Sequence, residues 1–406
     1  MRRGRAWLYL AAMHDEAPAA REFDVVVYGA TGFTGRLVAK YLARTQPAAR
    51  WALGGRSLKK LEALRDELAA EHPALASLPL VVAQGESPAS MRAMAARTRV
   101  LLTTVGPYAT LGAPALAAAL EGGCDYVDIT GEPNFVRQSI EDNHTKAEAA
   151  GLRLVHCAGF DSIPHDVGVY ETVKALKGAS KITVNGYVRA QGAPSGGTWQ
   201  SALDAMTKMR ARADARLPLL DHPGRTLRAH APRLGYDKAL GGWSFPLPTI
   251  DGQIVLRSAS ALPVYGAEFS YAHHGLTKSA PLLVGGALGL GALALAAQVG
   301  PARRWLQSLR PSGDGPSEAT RAKSWFRCVF RGEGDGRTVV TTVSGGDPGY
   351  DETAKMLAET ALGLALDRDA LPAQYGVLSP VAALGDVLVT RLRNSGIRIE
   401  SEVQTG

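Results

Sequence analysis

Three glycines near the N-terminus have the spacing of a phosphate-binding turn. Gly29, Gly32 and Gly35 follow the apolar run 25–28, and a helix is predicted to begin at about Phe33. In such a turn the first glycine permits a tight bend, the second lets the backbone approach a pyrophosphate, and the third lets the helix pack against the strand. The N-terminus of the helix then attracts phosphate oxygens. The stretch therefore predicts a dinucleotide site rather than an ordinary strand-to-helix turn.

The end of the next strand indicates which dinucleotide is bound. An NAD-preferring site has Asp or Glu there, whereas this chain has Arg56 and Ser57 after the predicted strand 50–54. A guanidinium holds a 2′-phosphate with paired donors, and a carboxylate repels it. A surface arginine at a helix start is the alternative interpretation. We predict NADP, bound by Gly29, Thr31, Gly32, Phe33, Thr34, Gly35, Arg56, Ser57, Gly106 and Pro107.

Other groups that could carry chemistry follow later strand ends. They are Gly106-Pro107-Tyr108, residues 128–132 and residues 159–165. Ligands of parallel sheets bind beyond the carboxyl ends of the strands, so these groups are expected to meet at one edge. Each group also has a structural interpretation as a turn, a helix cap or a local hydrogen bond.

The alternation of strands and helices predicts the sheet that positions these groups. Between residues 22 and 165, apolar runs alternate with helical segments, and the predicted strands are 25–28, 50–54, 80–83, 100–105, 126–129 and 153–156. Continuous apolar strands joined by helices indicate a parallel sheet covered on both faces. We therefore predict an α/β fold whose NADP-binding domain is a Rossmann-type, doubly wound parallel sheet.

The segments beyond residue 165 predict a second, mixed α+β domain. Alternating apolar and polar residues indicate half-exposed strands, and the turn GEGDG between two of them indicates a hairpin. The predicted strands are 181–189, 253–259, 324–331 and 337–344, and the predicted helices that cover them are 199–212 and 352–366. The turn SGGT at 195–198 opens the first of these helices and could bind an anion.

We divide the chain into four parts on this basis. Residues 1–21 are predicted to be a flexible extension, 22–165 the NADP-binding domain, and 166–375 the substrate domain. Residues 376–406 are predicted to form a C-terminal helix and tail, because a serine followed by proline at 379–380 is typical of a helix start.

The stretch 280–300 differs from the rest of the chain because it is a long apolar segment. It carries no charge, it is flanked by Lys278, Arg303 and Arg304, and its length matches a bilayer span. Alanine and glycine dominate it, so a buried or flexible helix of the second domain is the alternative. A complete crossing would separate two parts of one enzyme. We therefore predict a cytoplasmic protein attached peripherally to the plasma membrane through this stretch.

Composition excludes several classes of protein. The 406 residues favour two domains, and 20% charged with 46% hydrophobic residues is typical of a globular chain. The net charge of +7 comes from scattered lysines and arginines without interleaved aromatic residues, so nucleic-acid binding is not expected. The three cysteines are far apart in the sequence, which favours a reducing compartment. The sequence contains no HExxH motif and no Cys/His cluster, so a bound metal is not expected.

Seven ordered motifs together resemble the saccharopine dehydrogenase-like oxidoreductases, and among them the branch of bacterial trans-acting enoyl reductases. The motifs are VVYGATGFTG, GGRS, VGPY, YVDITGE, GFDSIPHDVG, SGGT and GDPGYDETAKML. The resemblance implies a Rossmann domain, NADP(H) and a second domain whose sheet covers the substrate. In the enoyl reductase branch it implies an unsaturated acyl chain of a polyketide-type lipid. The chain departs at 108–112, where relatives carry a second aromatic residue before the glycine.

These observations predict an NADP-dependent enoyl-thioester reductase in lipid or polyketide synthesis. The reaction needs hydrogen-bond donors at the thioester oxygen and a proton for the α-carbon. Tyr108 is the predicted donor, Thr130 and Ser162 assist it, and Asp161 orients them. The predicted partner is an acyl thioester, carried by coenzyme A or an acyl carrier protein. Whether the protein forms a homodimer is left open by the sequence.

Two other functions stay open at this stage. A saccharopine-type imine or amino-acid dehydrogenase would need cationic residues lining the second domain. A lipid-surface protein that binds NADP without turnover is the second alternative.

Overall fold

The computed structural model describes residues 21–192, 203, 216–220, 224–247, 249–309 and 315–404. The predicted extension, apart from residue 21, lies outside these residues, as does the predicted helix 199–212, apart from residue 203. The predicted turn at 195–198 also lies outside them.

Strands and helices alternate through the first half of the described chain and are mixed in the second half. The strands are β1 Phe23–Tyr28, β2 Trp51–Gly55, β3 Leu80–Val82, β4 Thr98–Thr103, β5 Asp125–Val127, β6 Arg153–Val155, β7 Lys181–Gln191, β8 Thr226–Ala229, β9 Gly235–Asp237, β10 Gly242–Pro246, β11 Glu268–Thr277, β12 Trp325–Gly334, β13 Arg337–Gly345, β14 Gly376–Leu378 and β15 Arg398–Gln404. The α-helices are α1 Phe33–Thr45, α2 Leu58–Glu71, α3 Pro88–Ala95, α4 Tyr108–Leu111, α5 Ala113–Gly122, α6 Pro133–Ala149, α7 Ile163–Ala175, α8 Asp251–Ala261, α9 Ala280–Gln298, α10 Gly300–Ser308, α11 Glu318–Arg321, α12 Asp351–Leu366, α13 Pro380–Leu384 and α14 Asp386–Asn394.

The first sheet is parallel and doubly wound, as the sequence predicts. Among the described residues it has seven strands in the order β14-β6-β5-β4-β1-β2-β3. Every residue of β1 is buried, and its Val25 pairs with Trp51 of β2 on one side and with Val100 of β4 on the other. The strand order reverses between β1 and β4, which is where ligands of this fold class bind.

Helix α12 comes late in the chain but covers the first sheet. It occupies the predicted segment 352–366 and packs mainly against α1, β1 and β4. Its buried residues include Leu357 and Leu364. The final part of the chain also contributes to both sheets, because β14 pairs with β6 and β15 pairs with β13.

The second sheet is mixed. Its described strands run in the order β15-β13-β12-β7-β11-β10-β9, with β8 also paired to β11. Strand β7 is parallel to β11 and antiparallel to β12, and the predicted hairpin is the antiparallel pair β12 and β13. Helix α7 packs on β12 and β13, and α8 packs on β11 and α7. These two helices therefore lie between the sheet and the NADP-binding domain.

The predicted strand 253–259 is wrong, because these residues lie in helix α8. Asp251, Ile254, Val255, Ser258 and Ala259 are all buried, which is the three- and four-residue spacing of one helical face. The alternation in this short stretch was a coincidence, and packing against α7 and β11 selects the helix.

Helix α9 covers the predicted apolar stretch. It has 19 residues, and it is long and apolar enough to span a membrane by length and composition alone. Only 6% of its most apolar window is buried within the protein. Leu282, Leu288 and Leu295 are 67%, 71% and 73% exposed. The alternative of a buried core helix is therefore wrong.

Candidate active site

The glycine turn between β1 and α1 has the shape that a bound pyrophosphate requires. Gly29 has a φ of +88°, and a Cβ there would lie 2.8 Å from a methyl carbon of Val105. A Cβ on Gly35 would overlap the carbonyl of Gly29 and lie 2.9 Å from Cα of Ala30, so only glycine lets α1 pack this closely. Among the described residues, a Cβ on Gly32 would have one neighbour within 4 Å, the Gly29 oxygen at 3.3 Å. The space before the helix is therefore open to a phosphate.

The side chains around the turn are held by the second half of the chain. The ring of Phe33 meets the ring of Tyr350 edge-on at 4.8 Å, and the Arg321 guanidinium lies 5.8 Å from the Phe33 centroid. Nε of Arg321 donates to the carboxylate of Asp351 at 2.9 Å. The motif GDPGYDETAKML therefore packs against the cofactor turn. Thr31 and Thr34, also predicted to contact the cofactor, are partly exposed beside it.

The end of β2 offers a cation and a hydroxyl to the ribose of a dinucleotide. Arg56 is exposed, and among the described residues it makes no hydrogen bond or ion pair. Its charge opposes the effects of burial and of Glu86, which raise the pKa of Tyr28. Arg56 therefore lies near that hydroxyl. Ser57 begins α2 without a capping hydrogen bond from its side chain. These residue types suit a 2′-phosphate.

Arg56→Ala is expected to remove most of the preference for NADPH over NADH. A charge-assisted contact contributes roughly 1.5–3 kcal/mol, which is about tenfold or more in affinity. Fluorescence titration of the unmodified protein and of the variant with both cofactors measures the preference. Arg65→Ala, on the same helix and away from the strand end, is the control and should bind as the unmodified protein does. Equal affinities for NADPH and NADH in the unmodified protein would contradict the assignment.

The loop after β4 lies against the glycine turn but does not present the Tyr108 hydroxyl to a ligand. Thr104 donates to the Gly29 oxygen at 3.2 Å, which places Gly106 and Pro107 beside the turn. Tyr108 is 6% exposed, and its hydroxyl donates to the Thr103 oxygen at 3.1 Å. Burial, as the largest cause, raises its pKa well above the ordinary value. The predicted role of Tyr108 as donor to substrate is corrected, because its hydroxyl ties β4 to the neighbouring loop.

Thr130 and Asp128 shape the loop after β5. The Asp128 carboxylate accepts from the Tyr126 hydroxyl at 2.9 Å, from the Thr130 amide at 3.0 Å and from the Cys157 amide at 3.2 Å. It also bonds Nδ1 of His156 at 2.7 Å. Thr130 is 1% exposed, and its hydroxyl accepts from the backbone of the loop. The structure therefore gives Thr130 a role in positioning the loop and does not bring its hydroxyl to Tyr108.

The side chains of Asp161 and Ser162, both in the loop after β6, have different surroundings. The Ser162 side chain is fully buried and lies against the Cys157 thiol, so it does not reach a ligand. Asp161 is exposed instead, and it lines a cavity of about 300 Å³ between the two sheets. Its Oδ2 lies 3.2 Å from where a Cβ of Gly131 would be, next to the loop after β5. Asp161 thus faces the cavity and does not contact the hydroxyls of Tyr108 and Thr130.

Most of the cavity wall is apolar, and its polar groups converge at one end. Its lining consists of Phe160, Asp161, His165, Val188, Arg189, Ala190, Phe245, Leu247, Thr249, Asp251, Gly275 and Leu276. Apolar walls with a few placed polar groups are typical of sites for small ligands. The second sheet supplies the apolar side chains, and the loop after β6 and helix α8 supply the carboxyl groups.

Two acids at this cavity have opposite pKa shifts. The Asp161 carboxyl opens to the cavity, but protein atoms enclose it on the other sides. This desolvation and the charge of Asp251 raise the pKa of Asp161 to about 6. Burial also acts to raise the pKa of Asp251, but His165, His273 and Thr249 hold it below the ordinary value. Near neutral pH Asp251 is therefore ionised, whereas Asp161 readily exchanges a proton.

The sequence analysis missed two residues at this end of the cavity. Asp251 begins α8, where its charge faces the positive end of the helix dipole. His273 lies on β11 and bonds the Tyr271 hydroxyl through Nδ1 at 2.9 Å. His165, the last residue of the predicted group 159–165, contacts both of them from α7. No spacing motif links these residues, because they come from three elements that are far apart in the chain.

Comparison with known proteins agrees with this geometry. Residues 25–155 match the family described as saccharopine dehydrogenase NADP binding domain. A putative trans-acting enoyl reductase of Mycobacterium tuberculosis is 38% identical over 94% of this chain and 98% of its own length. A trans-acting enoyl reductase of Mycobacterium ulcerans is 35% identical over the same shares of the two chains.

A solved structure shares the fold of the whole chain. Apo saccharopine dehydrogenase (L-Glu forming) from Saccharomyces cerevisiae has a TM-score of 0.53 and 12% identity, over 94% of this chain and 100% of that chain. The predicted cofactor and the predicted family are confirmed. The chain belongs to the saccharopine dehydrogenase-like family of NADP-dependent oxidoreductases, together with the mycobacterial relatives that are named trans-acting enoyl reductases.

Proposed function

We propose that the protein reduces the C=C bond of an enoyl thioester with NADPH, in lipid or polyketide synthesis. The observation that carries this proposal is the position of Asp161, which lies at the carboxyl edge of the NADP-binding sheet and also lines an apolar cavity. The names of the full-length relatives support the same reaction. The substrate would be carried by coenzyme A or by an acyl carrier protein.

The cavity wall suits an acyl chain. Phe160, Val188, Phe245, Leu247 and Leu276 face it, and its volume of about 300 Å³ is at the lower end of the range for ligand sites. Each CH₂ group that moves from water into such a wall contributes roughly 0.8 kcal/mol. Longer acyl chains are therefore expected to bind more tightly, until the chain fills the cavity.

Asp161 is the proposed proton source for the α-carbon. Bound NADPH supplies the hydride for the β-carbon. Burial and the charge of Asp251 raise the pKa of the Asp161 carboxyl to about 6, so it holds a proton below that pH and a minority of molecules still hold it near neutral pH. It is exposed to solvent and can therefore be reprotonated after each turnover. The neighbouring loop leaves room for a substrate beside it, since Gly131 has no side chain.

The test is oxidation of NADPH by the purified protein with a panel of enoyl thioesters of increasing chain length. Steady loss of cofactor absorbance with formation of the saturated thioester is the expected result. Imine and amino-acid substrates of the saccharopine type belong in the same panel. If only those substrates are turned over, the protein is a dehydrogenase of the saccharopine type and the proposal is wrong. If NADPH binds but no substrate is turned over, the protein binds NADP without catalysing this reaction.

The cavity lining argues against the dehydrogenase alternative. A substrate with several carboxylates needs cationic side chains, and Arg189 is the one arginine among the lining residues that the structure describes. The two carboxyl groups of Asp161 and Asp251 lie at the same end and would repel such a substrate.

The exposed helix α9 supports the further proposal of attachment to a membrane surface. It would be about 28 Å long at 1.5 Å per residue, close to the hydrocarbon thickness of a bilayer. Trp305 on α10 is 60% exposed, and Lys278 precedes α9. The chain leaves the second sheet at β11 and returns to it at β12, so a single crossing would separate two strands of one sheet. We infer that α9 lies in the membrane interface on the cytoplasmic face.

Replacing Leu282, Leu288 and Leu295 with glutamine is expected to release the protein from membranes. Each exposed leucine contributes roughly 1.5–3 kcal/mol when it moves from water into lipid. Flotation with vesicles that contain anionic lipid measures binding of the unmodified and the substituted proteins. The control replaces exposed Leu234 of the second domain, and it should float as the unmodified protein does. Failure of the unmodified protein to float would contradict the membrane proposal.

A further inference from the structure

Three side chains from different elements converge at the inner end of the cavity. They are His165 of α7, Asp251 of α8 and His273 of β11. Nε2 of His273 lies 3.2 Å from Oδ2 of Asp251, and Nδ1 of His165 lies 4.0 Å from the same oxygen. One ligand atom of each residue lies within 4.8 Å of the others. The side chains are only 2%, 5% and 6% exposed, so bulk water does not separate them.

Each of these residues also has a polar atom that contacts a neighbouring side chain. Nδ1 of His273 contacts the Tyr271 hydroxyl at 2.9 Å. Oδ2 of Asp251 accepts from the Thr249 hydroxyl at 2.6 Å. Nε2 of His165 lies 3.7 Å from the Cys328 thiol. These contacts are of the kind that orient metal ligands through their second polar atom.

Each of the three residues also has a buried polar atom without a hydrogen-bond partner. Among the described residues, Nδ1 of His165, Oδ1 of Asp251 and Nε2 of His273 are buried and have no hydrogen-bond partner. A buried polar group without a partner costs about 1–3 kcal/mol, and more when it is charged. Three such atoms in one place are not explained by packing. A cation bound between the Asp251 carboxylate and the two histidines would give both ring nitrogens a partner.

The charges also favour a cation. The structure shows no lysine or arginine paired with Asp251 among the residues that it describes, and its contacts are to His165, His273 and Thr249. Two imidazoles and one carboxylate are a ligand set of catalytic zinc sites, which keep a fourth position open. Tetrahedral bonds of about 2.0–2.1 Å put the ligand atoms roughly 3.4 Å apart. The ligand atoms lie within 4.8 Å of one another, so binding requires the side chains to approach by up to about 1.4 Å.

We propose that His165, Asp251 and His273 bind one divalent transition-metal ion of the Zn²⁺ class, with its fourth position open to the cavity. A metal there would act as a Lewis acid on a carbonyl oxygen of the bound substrate. That catalytic role rests on the proposed function, whereas metal binding itself does not. The site joins the second domain to the NADP-binding domain, since α7 follows the loop that carries Asp161.

Metal binding is measured on the full-length protein without NADPH or thioester. The protein is stripped with a chelator, loaded with Zn²⁺ or Co²⁺, freed of excess metal and analysed for metal content. We expect one equivalent of Zn²⁺ and the visible absorption bands of a four- or five-coordinate Co²⁺ ion. His165→Ala, Asp251→Asn and His273→Ala should each lose the metal and the bands.

A second variant, which keeps all three ligands, distinguishes loss of metal binding from loss of folding. Tyr271→Phe keeps the ring but removes the partner of His273, and we expect affinity for Zn²⁺ to fall by about 10–100-fold. His230→Gln is the control, because His230 bonds Asn185 on the opposite face of the second sheet. It should bind as the unmodified protein does. Binding below a tenth of an equivalent by the folded, unmodified protein would overturn the proposal, as would unchanged binding in all three ligand variants.

Discussion

Gly32→Val is expected to abolish NADP binding in a protein that keeps its fold. Gly32 has φ −74° and ψ 167°, an extended conformation that valine adopts readily. In the free protein its Cβ would meet one atom within 4 Å, the Gly29 oxygen. In the complex the isopropyl group would occupy the position of the pyrophosphate. We expect the Kd for NADPH to rise by at least roughly 100-fold, or about 2.8 kcal/mol.

A second glycine of the same turn separates loss of binding from loss of folding. A Cβ on Gly35 would overlap the backbone of Gly29 and Ala30, so Gly35→Ala is expected to destabilise the protein, by about 1–3 kcal/mol, as overpacked sites do. Thermal unfolding and NADPH titration of both variants give the comparison. Gly32→Val should unfold near the temperature of the unmodified protein, and Gly35→Ala well below it. NADPH affinity unchanged by Gly32→Val would remove the basis for placing the cofactor here.

The first sheet could be predicted because most of its strands are buried on both faces. Such strands appear in the sequence as uninterrupted apolar runs, and β1 is the clearest case, with all six residues buried. The glycine turn is equally local, since three residues within one turn carry its function. Such patterns depend only on residues close together in the chain, so they can be recognised in the sequence without knowledge of tertiary contacts.

The second domain was predicted less well for a physical reason. Strand β11 has the sequence EFSYAHHGLT, in which histidines replace apolar residues at buried positions. Helix α8 was taken for a strand because a segment of seven residues fits both periodicities. Contacts with α7 and β11 decide its conformation, and those contacts are formed only in the folded chain.

Residue types at strand ends predicted where the site lies but not which side chains face it. Tyr108 follows β4 in the expected place, yet its ring turns inward and its hydroxyl bonds Thr103. Asp161 was predicted to orient Tyr108 and Thr130, whereas in the structure it lines the cavity. Asp251 and His273 come from a domain whose position over the first sheet depends on the whole fold, so no local motif could have selected them.

Asp161→Asn is expected to lower kcat for an enoyl thioester by about 10²–10⁴-fold, the range for loss of a positioned general acid. Asparagine has nearly the same shape but cannot give a proton to the α-carbon. Binding of NADPH should be unchanged, because Asp161 lies beyond the phosphate-binding turn. Stopped-flow measurement of NADPH oxidation and a separate cofactor titration test the two statements. Asp66→Asn on the exposed face of α2 is the control for the change of charge.

The pH dependence gives this assignment a second readout that a merely structural role would not produce. The active form of Asp161 is protonated, so the rate should fall as the pH rises through about 6, and the variant should lack this limb. The folded pKa lies above the ordinary value of 3.8, so ionisation of Asp161 destabilises the fold as the pH rises from about 4 to about 6. Above pH 6 the variant should therefore unfold at a higher temperature than the unmodified protein. A variant that keeps full activity and the same pH profile would show that the proton comes from another group.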